Sequence, residues 1–182
     1  MNINQLAKQL EASNLPPVDQ WNPPFCGDID MIIKRDGTWH YMGSPIGRKA
    51  LVKLFSNVLK KEDDKFYLVT PVEKVGITVE DAPFVAVLME TIEQDDQTVL
   101  LFTDNVGNKF IANSEHPIRV ETNPKTLEPS PYILVRKNLE ALIHRNVFYQ
   151  MVDLASIEEI DTNEEMIVES AGVKFSLGKI KA

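Results

Sequence analysis

Met31-Ile32-Ile33-Lys34-Arg35-Asp36-Gly37-Thr38-Trp39-His40-Tyr41-Met42-Gly43 decides how the chain is read. Three apolar residues lead into Asp36-Gly37, a dipeptide suited to the positive φ angles of a tight hairpin turn. Thr38 to Tyr41, β-branched and aromatic, then reads as the returning strand. The same spacing recurs without a gap near the end of the chain. Three residues separate Met166-Ile167-Val168 from Gly172, as three separate Ile33 from Gly37, and Leu177-Gly178 stands where Met42-Gly43 stands in the first copy.

A second self-similarity pairs Arg48-Lys49-Ala50-Leu51-Val52-Lys53-Leu54 with Arg136-Lys137-Asn138-Leu139-Glu140-Ala141-Leu142. Ala50, Leu51, Leu54, Phe55 and Val58 form one apolar stripe, which predicts a helix running to Lys60. Ser44 would be its cap and Pro45 its first helical residue. Leu139, Leu142, Ile143, Val147, Phe148, Met151 and Val152 predict another, capped by Asn138. Near the start, Ile3, Leu6, Ala7 and Leu10 recur at helical spacing after Asn2, and Leu15-Pro16-Pro17 ends that helix. Pro16, Pro17, Pro23 and Pro24 make residues 15–26 an extended arm, pinned to the body by Trp21 and Phe25.

Between these elements, Phe66–Thr70 and Val75–Val79 read as strands, separated from the helix by the charged turn Lys61–Lys65. Glu80-Asp81-Ala82-Pro83 breaks the pattern and marks a lobe boundary. Phe84–Ile92, Val99–Thr103, Lys109–Ala112 and Ile118–Glu121 predict an antiparallel meander, and Tyr132–Val135 a short buried strand. Residues 156–164 read as an acidic turn before the last hairpin. The expected fold class is therefore α+β. It has two small lobes, 1–82 and 83–182, with a repeated helix-plus-β-hairpin motif and mostly antiparallel sheets. The order is hairpin then helix in the first lobe and helix then hairpin in the second.

Composition narrows the function classes. The 182 residues are 43% hydrophobic and 25% charged, ordinary for a globular chain, and no apolar run is long enough to span a membrane. The start lacks the pattern of a signal peptide, and one cysteine rules out an internal disulfide framework, so a reducing cytoplasm is the expected location. The net charge of −8 is unevenly spread. Residues 1–60 carry 7 Lys/Arg against 5 Asp/Glu, whereas residues 61–128 carry 6 against 14. Phosphate backbones and anionic membranes need clustered cations, and there is no such cluster. Neither nucleic acid nor a membrane is an expected partner. A small anionic ligand, a protein partner and a homodimer all remain open.

Several blocks together carry a family resemblance. They are Cys26-Gly27-Asp28-Ile29-Asp30, Asp36-Gly37-Thr38-Trp39, Gly43-Ser44-Pro45-Ile46 with Arg48, and Leu68-Val69-Thr70-Pro71-Val72-Glu73-Lys74. Pro131-Tyr132 with Val135-Arg136, and Leu139-Glu140-Ala141-Leu142-Ile143 with Arg145 and Val147-Phe148-Tyr149, complete the set. The sequence resembles, over nearly its whole length, a bacterial family of domains of unknown function, DUF1285. The resemblance implies an α+β fold with repeated motifs and a link to signalling. It supplies no catalytic residue.

The candidate chemistry is sparse. Cys26 has no histidine placed beside it, and reads as a small buried apolar residue rather than a nucleophile. Gly43-Ser44-Pro45-Ile46-Gly47 lacks the glycine spacing of a nucleophile turn. His40, His116 and His144 have no metal-ligand spacing, and Asp104–Glu115 has Val106 and Lys109 where a calcium loop needs an oxygen ligand and a glycine. No catalytic residue, metal or cofactor is assigned. The ligand-binding set is Trp39, Ser44, Arg48, Glu73, Tyr132 and Arg136, drawn between the lobes. Its reasoning is that a helix starting at Ser44 offers N–H donors to an anion and that Arg48 and Arg136 would converge there. The competing reading has each arginine paired with a carboxylate of its own lobe. The expected function is a small-molecule-binding or protein-interaction module, regulatory in character. A hydrolase using His40 or Glu73 as base, and a structural partner without a ligand, are the alternatives.

Overall fold

The structure, a computed structural model, describes residues 15–180, so the helix expected over 2–11 lies outside the described residues. Strands take 54% and helices 13% of what is described, in three sheets with two α-helices. The α+β expectation with a repeated helix-plus-hairpin motif is therefore corrected: the protein is β-rich. The chain divides into two compact units, after Pro83.

In the first unit, a short 3₁₀ turn, Val18–Gln20, precedes strands β1 (Phe25–Ile33), β2 (Trp39–Tyr41) and β3 (Ser44–Pro45), helix α1 (Lys49–Asn57), and strands β4 (Leu59–Glu62), β5 (Lys65–Val69) and β6 (Lys74–Val79). The sheet order is β3-β2-β1-β6-β5-β4. The central pair, β1 and β6, is parallel, and the rest are antiparallel. Gly37 turns the first hairpin at φ 89°. Met42 and Gly43, at φ 51° and 81°, close the next in two residues, the geometry of a type I′ turn. That turn carries Ser44 and Pro45 into strand β3 instead of a helix cap, and Pro45 is tolerated because β3 is an edge. Helix α1 starts later, with Arg48 at its N-cap and no side chain capping it, and it ends at Asn57. Leu59–Glu62, expected as helix end and charged turn, is strand β4. Leu51 and Phe55 are the buried face of α1, and the Phe55 ring stacks on Trp39 at 6.3 Å.

The second unit holds β7 (Phe84–Gln94), β8 (Gln97–Asp104), β9 (Lys109–Ile111), β10 (Ile118–Thr122), β11 (Pro129–Arg136), β12 (Leu139–Ile143), helix α2 (Arg145–Leu154), β13 (Ser156–Ile160), β14 (Asn163–Ser170) and β15 (Val173–Lys179). The first six strands form a sheet in the order β10-β11-β12-β7-β8-β9, with β12 and β7 parallel at its centre. The expected four-strand meander stops at β9, because β10 pairs with β11 at the opposite edge. Arg136 to Leu142 is not helical. Lys137 adopts φ 51° in a turn, and Leu139, Ala141 and Ile143 are buried in alternation along β12. Leu139, Leu142 and Ile143 satisfy a helical spacing, but the period that folds is two.

A repeat exists at a different level. The six-stranded sheet of each unit is two three-stranded meanders whose first and sixth strands pair in parallel at the centre. The helix lies between the third and fourth strands in the first unit and after the sixth in the second. The segments 31–43 and 166–178 are both hairpins, but of different construction. Five residues join Ile33 to Trp39, whereas Ala171-Gly172 alone joins Ser170 to Val173, and Met31 pairs with Tyr41 where Met166 pairs with Gly178.

The remaining strands make a small antiparallel sheet, β13-β14-β15, anchored by Ser170. The fully buried Ser170 hydroxyl accepts from the Leu100 amide at 2.8 Å and donates to the Ala112 carbonyl at 2.7 Å. The 156–164 segment, expected as a turn, supplies β13 and the start of β14.

Cys26 also departs from expectation, being exposed with its thiol donating to the Pro24 carbonyl at 3.3 Å. With no burial to lose, Cys26→Ser should leave the urea midpoint unchanged, without the roughly 1 kcal/mol that a packed small side chain would cost. A drop of that size on denaturation would show the thiol to be packed.

Candidate functional site

The candidate residues fall in separate places within each unit. Trp39 is 2% exposed and part of the core, with its indole N–H finding no acceptor among the described residues. Ile33 pairs with both Trp39 and Val79, whereas Phe25 pairs with Lys74. Trp39, on β2, is therefore level with the Val79 end of β6, whereas Glu73 precedes its Lys74 end, about 20 Å away along the strands at ~3.3 Å per residue. Glu73 closes the β5–β6 turn: its amide donates to the buried Thr70 hydroxyl at 3.0 Å. Ser44 is exposed on edge strand β3, and Arg48 is exposed at the start of α1. Of the four in this unit, Ser44 and Arg48 share a region of chain and Glu73 is remote from it.

His40, the alternative base, is half-buried in the Asp36–Tyr41 hairpin. The Thr38 hydroxyl donates to Asp36 Oδ1 at 2.6 Å and lies 3.2 Å from His40 Nε2. Hydrogen bonds from the Thr38 hydroxyl and amide hold the Asp36 carboxyl below the usual carboxylate range. Since the Thr38 proton is committed to Asp36, His40 is placed to donate to this hydroxyl rather than to activate it.

In the second unit, Tyr132 is buried in the middle of β11 beneath Arg119, whose guanidinium lies 4.5 Å from the ring centroid. Arg119 forks onto Glu140 with contacts of 2.7 and 2.8 Å. The Glu140 carboxylate raises the Arg119 guanidinium above its ordinary value. Arg136, beyond a register shift in the same strand, lies 5.3 Å over the Phe84 ring. Burial pushes its guanidinium below the ordinary value, and the Asp104 carboxylate opposes that shift. Asp104 is itself buried and accepts from the Val106 and Asn108 amides, closing the β8–β9 turn. Arg136 thus has an acidic neighbour within its own unit. The Asp104–Asn108 turn is sealed by protein donors rather than shaped for a cation. Among the described residues no His, Cys, Asp and Glu side chains are grouped to hold a metal ion.

A different surface gathers exposed groups. Among the described residues, strand β13 lies at the outer edge of its sheet and pairs only with β14. Ile157 is 64% exposed, Leu154 just before it 51%, and Ile160 40%. Beside this edge is a cavity of about 180 Å³ lined by Leu154, Ser156, Glu158, Ile167, Thr91 and Thr98, among others. Ligand sites for cofactor-sized molecules occupy about 300–1,000 Å³, so this one has room for a side chain.

Two adjoining family models match the chain: the N-terminal domain of DUF1285, a domain of unknown function, over residues 16–82, and its C-terminal domain over residues 83–177. The chain belongs to the DUF1285 family. A crystallised DUF1285 family protein from Silicibacter pomeroyi DSS-3 is 50% identical, with a TM-score of 0.88 over 98% of this chain and 96% of that one. Another, from Shewanella baltica OS155, is 28% identical with a TM-score of 0.54, covering 68% of this chain and 90% of that one. No curated relative matches the chain.

The sequence reading passed over β13. Ser156-Ile157-Glu158-Glu159-Ile160 has no aromatic and two adjacent glutamates, so charge outweighed the two β-branched residues. Isoleucines beside charges in an otherwise acidic stretch were the available signal for an edge strand.

Proposed function

We propose that this DUF1285 protein is a binding module that engages a protein partner through the free edge of its β13-β14-β15 sheet. The observation carrying this reading is the exposure of Leu154, Ile157 and Ile160 along a strand edge that has no partner among the described residues. Large apolar side chains grouped on an edge mark interaction surfaces. The buried polar side chains support it from the other direction. Ser170, Asp104, Thr70 and Ser56 all hydrogen-bond backbone groups of their own unit, which leaves their chemistry committed to folding. A regulatory or signalling role, as the resemblance implies, fits a module of this kind. So does a cytoplasmic setting, where the exposed Cys26 would stay reduced. No helix among the described residues is long and apolar enough to cross a membrane.

The small-anion reading keeps one observation in its favour. Helix α1 starts with exposed Arg48 and Lys49, no side-chain cap and no acidic residue in its first turn. An anion there would meet unpaired N–H groups and the positive end of the helix dipole. Without convergence of Trp39 or Glu73 on that place, it remains the second reading.

The test is photo-crosslinking in cells from a benzophenone side chain at Ile157, with Met42, equally exposed in the first unit, as control. Discrete adducts to another protein from position 157 alone are expected. Equal adduct patterns from both positions, or none, would remove the case for this edge.

A further inference from the structure

The chemistry of β13 says what kind of segment it takes, granted that the edge is a docking surface. Among the described residues no strand lies beside its outer row of backbone N–H and C=O groups, so an extended chain can continue the sheet. Three features then select among occupants.

The first is charge. Glu159, Asp161 and Glu164 are exposed on the β13–β14 hairpin, and Glu169 is exposed beside the cavity. Lys174 spans both oxygens of Glu158 at 3.0 Å, so that carboxylate is already matched. Lys174 also faces Glu169 across the β14–β15 ladder and interacts with its charge, whereas Glu159, Asp161 and Glu164 have no ion pair among the described residues. The second unit as a whole carries 9 Lys/Arg against 16 Asp/Glu. A cationic segment meets a favourable field here and an acidic one is repelled.

The second is the exclusion of a second copy of this chain. Antiparallel pairing of two β13 edges centred on Glu159 sets that unmatched carboxylate against its own symmetry mate. It also brings both copies of Glu159 and Asp161 onto one ribbon. Like charges directly across a ladder destabilise it. The edge is thereby protected against self-association while remaining open to a chain of opposite sign, a use of charge natural to edge strands.

The third is the cavity. Apolar Leu154, Leu100 and Ile167 line it together with Thr91 and Thr98 and the Glu158 and Glu169 side chains. At about 180 Å³ it suits one branched aliphatic side chain of an added strand, with alternate residues pointing away. We infer that β13 accepts an extended, basic segment of a partner protein that alternates Lys or Arg with aliphatic residues, one of which fills the cavity beside Leu154.

The probe is the peptide acetyl-Lys-Val-Lys-Leu-Lys-Val-Lys-amide, titrated into the full chain and followed by calorimetry and by backbone amide NMR. Two control peptides are used, one with glutamate in place of every lysine and one with proline in place of the central leucine. Expected are binding by the first peptide alone, shifts confined to residues 154–169 and to Thr91, Thr98 and Leu100 of the cavity wall, and weakening with added salt. Glu159→Lys with Glu169→Lys, both exposed positions, should weaken binding by about tenfold with an unchanged circular dichroism spectrum. Equal binding of the proline peptide would reduce the effect to unspecific charge and overturn the inference. So would absence of binding at millimolar peptide, or a concentration-dependent dimer abolished by Ile157→Lys. If the crosslinks from position 157 form and the peptide still does not bind, the edge is a docking surface for a segment of other chemistry. If neither occurs, the docking reading itself fails.

Discussion

Trp39→Ala is expected to lower the stability of the first unit by about 3–5 kcal/mol, the range for deleting a large aromatic from a core. Trp39 is 2% exposed, pairs with Ile33 in the sheet, and stacks on Phe55 of α1, so its ring joins strand to helix. The companion Trp39→Phe separates packing from hydrogen bonding. The indole N–H has no acceptor among the described residues, and a buried donor left unpaired costs about 1–3 kcal/mol. Phenylalanine removes that donor while keeping an aromatic ring in the stack, so it should fall within about 1 kcal/mol of wild type. Urea denaturation of both variants, followed by circular dichroism, measures this. If Trp39→Ala were as stable as wild type, Trp39 would belong to a binding surface, as the sequence reading had it, and not to the core.

Ser170→Ala should cost about 2–4 kcal/mol, although it removes a single oxygen. That oxygen serves the Leu100 amide and the Ala112 carbonyl at once, from a position with no solvent exposure. Alanine leaves both backbone groups unpaired in the interior, at about 1–3 kcal/mol each. The Ala171 amide, which donates to the Thr98 carbonyl at 3.1 Å, limits how far the segment can move to compensate. Thermal unfolding and limited proteolysis should both register the loss, with cleavage concentrated in β13–β15. A near-neutral result would mean that the small sheet is held by its apolar contacts alone.

What the sequence disclosed was mostly local. Asp36-Gly37 and Ala171-Gly172 marked their hairpins because positive φ at a turn demands particular residues. Glu80-Asp81-Ala82-Pro83 stood out in the sequence as a cluster of charge and proline. The Arg48 and Arg136 segments, by contrast, share residue types but not conformation. The first opens a helix and the second crosses a turn, because Lys137 takes a positive φ and Ala141 and Ile143 are drawn into alternation beside β7. Local pattern could not register that tertiary pull. The parallel pairing of β1 with β6 and of β7 with β12 joins segments far apart in the chain, and no short motif encodes it. The candidate ligand set suffered for the same reason. Trp39, Tyr132 and Arg136 have the chemistry of binding residues, yet burial commits the first two to cores and places the third against Phe84 and beside Asp104.

The central claim is that the outer edge of β13 is free in the isolated protein and serves as its docking site. Amide hydrogen exchange, resolved by residue over Ser156–Ile160, tests it most directly. In an antiparallel edge strand, alternate amides point to the neighbour and the others to solvent. The isolated protein should therefore show protection that alternates along β13, with every second amide exchanging at nearly the rate of an open chain. Binding of a partner strand should slow that fast set. Uniform protection from Ser156 to Ile160 in the protein alone would mean that the edge is already covered, and would contradict the account.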